Sequence, residues 1–218
     1  MFIFPGGATV AVDPVEVSLT ANTTSTANLT TYTFSSQAFG TAASNRKIVV
    51  CTCHDNNDTV SSVTMGGVSG TKATGQIAGS ELQTEIWYAA VTTGTSGDVV
   101  VTLTGGAGQM GIGVYRVIGA ATSPSATGGS TGEGTTQNDD INVLAGGILI
   151  GVSGNRSAAT CTWTNLTETY DEAIETYGLK QSGAAAAFSS AQTPITITAL
   201  LSSTSVDECF SLAAWGLA

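Results

Sequence analysis

The sequence predicts an all-β protein: an antiparallel, jelly-roll-like β-sandwich of about 10–12 strands. Three observations predict it. Almost no stretch places its apolar residues at helical spacing; short runs rich in Val, Ile, Thr and aromatics recur instead, between Gly, Asn, Asp and Ser. Several of those runs alternate apolar and polar residues with period two. Charged residues are only 10% of the chain, and Thr, Ser, Gly and Asn supply the missing polarity. Those residues suit strands and tight turns better than exposed helices.

Taken in chain order, strands are expected at 29–36, 46–54, 60–66, 84–92, 97–104 and 110–118. In the first, Tyr32 and Phe34 alternate with Thr31, Thr33 and Ser35. In the second, Ile48-Val49-Val50 is continuously apolar, as a central strand buried on both faces requires. In the fifth, Val99, Val101 and Leu103 share one face and Val100 and Thr102 the other. A second set is expected at 139–144, 146–153, 159–165, 183–190, 193–201 and 207–216. There Ile148-Leu149-Ile150 is continuous, and Ile195, Ile197 and Ala199 alternate with Thr196 and Thr198.

The two sets are alike at an offset near one hundred. Ile48-Val49-Val50 answers Ile148-Leu149-Ile150, Val63-Thr64 answers Trp163-Thr164, and Trp87–Ala90 answers Ala185–Phe188. Val99–Val101 answers Ile195–Ile197, and Val114-Tyr115 answers Leu212-Ala213. The expected organisation is an N-terminal arm at 1–10, then a single sandwich over 11–218. Its pseudo-repeated halves, about 11–120 and 138–218, are joined by a Gly/Ser/Thr-rich crossover at 121–137. The alternative is two immunoglobulin-like sandwiches in tandem.

Six basic against sixteen acidic residues leave a net charge of −10. That balance argues against nucleic-acid partners and against anionic membrane surfaces. No segment approaches the roughly 20 apolar residues of a spanning helix. The N-terminal Met1-Phe2-Ile3-Phe4-Pro5-Gly6-Gly7 lacks the basic and apolar regions of a signal peptide, so synthesis in a cytosol without export is expected. In such a compartment Cys51, Cys53, Cys161 and Cys209 are expected as free, buried thiols.

Each chemically suggestive run has a plainer reading. Cys51-Thr52-Cys53-His54 has zinc-ligand chemistry, but it lacks the usual spacer between cysteines, and alternation sends His54 to the other face. His54 is the one histidine, so any Cys–His or Ser–His pair would have to be built on it. Asp139-Asp140, Asp171-Glu172 with Glu175, and Asp207-Glu208 are acidic clusters whose neighbours point to opposite faces of strands, poor geometry for joint acid–base work. Asp55-Asn56-Asn57-Asp58 is oxygen-rich as a calcium loop is, but those are also ordinary turn residues. Gly105-Gly106-Ala107-Gly108 reads as a hairpin turn, with no Lys-Ser/Thr following to make a phosphate cradle. No catalytic residue, cofactor or metal is expected.

Longer motifs run through the chain: Thr31–Gly40 followed by Asn45-Arg46 and a Val-rich strand, Ser62–Val68, Trp87–Val101, and Gly113–Gly119. Ala145-Gly146-Gly147, Trp163–Glu168 and Ala213-Ala214-Trp215 continue them. This pattern resembles a family of β-rich structural proteins of tailed bacteriophages and prophages. The resemblance implies a virion component without catalytic motifs, made in the host cytoplasm. A capsid decoration or cement protein that packs on the major capsid protein, as a homo-oligomer, is the leading expectation. A tail or fibre component contacting the host and a carbohydrate-binding module are the alternatives. Phe2, Ile3 and Phe4 are the candidate docking residues, since burying such side chains on a partner is worth about 1.5–3 kcal/mol each.

Overall fold

The structure is a computed structural model that describes residues 14–55, 58–79, 81–105, 108–175 and 178–218. Among these residues the named elements are fifteen strands. The first half carries β1 (Glu16–Ser25), β2 (Thr31–Ala38), β3 (Arg46–Asp55), β4 (Val60–Met65), β5 (Val68–Ser69), β6 (Thr71–Ala78), β7 (Leu82–Ala89), β8 (Ser96–Leu103) and β9 (Met110–Ile118). The second half carries β10 (Ala126–Val143), β11 (Ile148–Arg156), β12 (Cys161–Thr164), β13 (Thr167–Ala173), β14 (Leu179–Ala187) and β15 (Gln192–Trp215).

In the first half a five-stranded antiparallel sheet, β1-β9-β3-β7-β6, faces a four-stranded one, β2-β8-β4-β5. In the second half the order is β10-β15-β11-β14-β13, with β12 also paired to β15. The two long strands bend from one layer into another. Ala126–Gly132 of β10 pairs with Glu208–Ala214, whereas Thr136–Val143 pairs with Gln192–Leu200, and β12 pairs with Thr198–Leu201. The register breaks between these stretches, around Gly134, whose φ of +123° favours glycine.

Side chains alternate across the strands and fill three apolar cores, so the fold has four β-layers. Tyr32, Phe34, Val63, Val99 and Val101 meet Ile48, Val50, Trp87 and Val114 inside the first half. Leu149, Phe210, Leu212 and Ala214 meet Ile141, Cys161, Ile197 and Ala199 inside the second. Between the halves, Val49, Cys51, Ile86, Tyr115 and Val117 pack on Ile148, Ile150, Val152, Ala213 and Trp215.

The two halves have one topology. β1-β9-β3-β7-β6 corresponds position by position to β10-β15-β11-β14-β13, and β2-β8-β4 to the bent parts of β10 and β15 with β12. Strands of the two halves do not interleave in any of the three sheets. Each half therefore encloses its own core, and the two five-stranded sheets stack face to face. The stretch expected as a crossover is different too: from Ala126 onward it is strand β10. Alternating Thr, Gly and Ser form an adequate edge strand whose partner β15 supplies the hydrogen bonds.

Candidate functional site

The candidate docking residues Phe2, Ile3 and Phe4, with the 1–10 arm, lie outside the described residues. The remaining candidates separate rather than converge. Cys51 and Cys53 point from β3 toward the second half, and His54 points the other way. Cys161 sits in the core of the second half, while Cys209 shares a small apolar cluster with Cys53. All four thiols are free and buried. Burial pushes Cys161 and Cys209 up to about 12 and raises Cys51 and Cys53 as well, so none supplies a thiolate at neutral pH. His54 is buried, and loss of hydration lowers its pKa to about 4. Among the described residues neither of its ring nitrogens makes a well-formed hydrogen bond. Among the described residues no three of His, Cys, Asp and Glu are grouped to hold a metal ion.

Four carboxylates of the acidic clusters are held by structural bonds. Asp139 accepts from the Gly129 amide at 2.7 Å, and Asp140 accepts from the Thr196 hydroxyl. Asp171 pairs with Lys180 at 2.8 Å. Glu208 corrects the reading of these clusters as solvated: it is 1% exposed, and Gln137 Nε2 donates to it at 3.0 Å. In the expected calcium loop, residues 56 and 57 lie outside the described residues, and Asp55 accepts from the Gln109 amide at 2.6 Å. The Gly-rich turn has Gly105 against Asp58 and Gly108 against Asp55, an acidic setting that disfavours phosphate.

Two cations that sequence reasoning did not single out are the most unusual polar groups. Arg46 is 1% exposed and donates to five backbone carbonyls, those of Phe39, Gly40, Val91, Thr93 and Gly94, at 2.6–3.3 Å. It thus ties two loops to the start of β3. Lys47, next along, points to the opposite side of the sheet and is 8% exposed. Its Nζ donates to the Ala120 carbonyl at 2.7 Å. Lys72, Arg116, Arg156 and Lys180 each pair with a carboxylate, but among the described residues Lys47 pairs with none.

Lys47 lies in a cleft of about 250 Å³ lined by residues of the first half and by Thr122 of the segment that follows it. Tyr88 and Ala89 form its floor, and Ser69, Thr71 and Thr122 its rim. Tyr88 is held in place by the buried indole of Trp215 from the second half, edge to face at 5.8 Å. No family model, no curated protein and no solved structure matches this chain. Chemically the cleft offers a cation, an aromatic surface and hydroxyls. That set suits binding an anion.

Proposed function

We propose that the protein is a non-catalytic structural component of a tailed-phage particle, placed on its surface as a capsid decoration protein. The observation that carries this reading is the strand order. Sheets ordered β1-β9-β3-β7 and β2-β8-β4-β5 are what two interleaved Greek keys produce, so we read each half as a jelly roll, an architecture common in viral capsid proteins and in lectins. Two such units stack through a continuous apolar core. The motif resemblance to phage structural proteins and the acidic, weakly charged surface support the same reading.

The partner of a decoration protein is a lattice of major capsid protein, on which many weak contacts add up through multivalency. Immunogold labelling of purified virions tests the reading. Dense label over the head, at many copies per particle, is the expected result. Label confined to the tail moves the protein to a host-contact role, and particles without label overturn the virion assignment.

A further inference from the structure

We propose that the Lys47–Tyr88 cleft binds the carboxylate of an acidic sugar, a uronic or sialic acid residue. The inference holds whether or not the protein belongs to a virion.

Burying an ammonium without a counter-charge is costly, and this protein has sixteen acidic residues from which to supply one. It supplies none to Lys47 among the described residues. One carbonyl, that of Ala120, fixes the head group, and among the described residues no second acceptor takes its other N–H donors. Lys47 lines the cleft. Loss of hydration is what shifts Lys47, with no acidic neighbour offsetting it. A ligand carboxylate entering here would meet a partly desolvated cation, where a charge-assisted hydrogen bond is strongest.

The rest of the lining selects the body of the ligand. Tyr88 offers the apolar surface against which a sugar ring packs, and it is braced by Trp215. Ser69, Thr71 and Thr122 are exposed at the rim, where their hydroxyls can exchange hydrogen bonds with sugar hydroxyls. A volume of about 250 Å³ falls below that of sites for drug-sized ligands, and so fits one ring rather than an oligomer.

The test is an NMR titration of the full chain with methyl glucuronide and with the methyl glycoside of sialic acid. Methyl glucoside, a short peptide with a free C-terminal carboxylate, and inorganic phosphate serve as comparisons. Saturable shifts of the amides of Thr71, Tyr88 and Thr122 with at least one acidic sugar, and not with methyl glucoside, are expected. Lys47→Gln is expected to weaken that binding about tenfold or more, the factor for one charge-assisted hydrogen bond. Because Lys47 is buried, Thr71→Val at the rim is the second variant: it is expected to weaken binding while leaving the melting temperature unchanged. No saturable shift with either acid overturns the proposal, as does equal binding of methyl glucoside. Tighter binding of the peptide or of phosphate overturns the assignment to an acidic sugar.

Discussion

Tyr170 of β13 occupies the space that Gly113 of β9 leaves open: a Cβ on Gly113 would lie 2.5 Å from the Tyr170 ring. Gly183 of β14 borders the same ring, so one aromatic of the second half is keyed into glycines from both stacked sheets. Gly113→Ala is expected to force the halves apart locally and to destabilise the protein by about 1–3 kcal/mol, the usual cost of overpacking. Tyr170→Phe, by contrast, removes a buried hydroxyl that has no hydrogen-bond partner among the described residues, and stability is expected to hold or rise slightly. Urea unfolding of the two variants beside the parent chain checks both. Equal losses would show that the hydroxyl, not the ring's fit, matters at this contact.

Arg46 makes a second prediction. Its guanidinium gathers carbonyls from the loop after β2 and the loop after β7, a fork geometry that an ammonium cannot reproduce. Arg46→Met is expected to cost about 3–5 kcal/mol, in the range for breaking a buried hydrogen-bond network. Arg46→Lys is expected to recover only part of that. Thermal melting of both variants is the measurement, and full recovery by Lys would mean that charge alone is at work.

Most strands were legible because their apolar residues fill cores on one or both faces. The unread strands, β1, β5, β6, β13 and the first part of β10, all lie at sheet edges. Edge strands pack less, so their sequences alternate weakly; β6 reads Thr-Lys-Ala-Thr-Gly-Gln-Ile-Ala with little burial. The internal repeat was legible too, but not its register. Ile48 and Ile148 lie on corresponding strands, β3 and β11, yet Ile48 faces the core of its own half and Ile148 faces the other half. An even offset there inverts the faces, because a one-residue slip exchanges every side chain across a sheet. The Lys47 cleft was not legible at all. It is assembled from β3, β5, β6, β7 and the segments after β7 and β9, and nothing near Lys47 in the sequence announces that its partner is a backbone carbonyl rather than a carboxylate.

The thiols give a third prediction. Cys51, Cys53, Cys161 and Cys209 are all buried, and their pKa values are raised by loss of hydration. Ellman's reagent is therefore expected to find no reactive thiol in the native protein and four after denaturation. Rapid reaction of one thiol under native conditions would mean that a core opens locally well below the global unfolding free energy.

His54 predicts how stability depends on pH. Its folded pKa of about 4 is below the ordinary 6.5, chiefly because burial disfavours the imidazolium; the Asp55 backbone and Asp58 act against this and Lys72 with it. The folded state thus binds fewer protons than the unfolded state between these values. Stability contributed by neutral His54 is complete above about pH 6.5, falls as pH drops, and is gone by about pH 4, a loss on the order of 3 kcal/mol. Glu208 works in the opposite sense, since burial raises its pKa and its protonation favours the folded state. The clean observable is therefore the difference between the parent chain and His54→Gln, in which the carboxylates cancel. Unfolding free energies measured from pH 4 to pH 7 are expected to converge toward low pH and diverge as pH rises, in favour of the parent. A difference that stays constant across that window would mean that His54 keeps its ordinary pKa in the folded protein, with its ring open to water or to a partner.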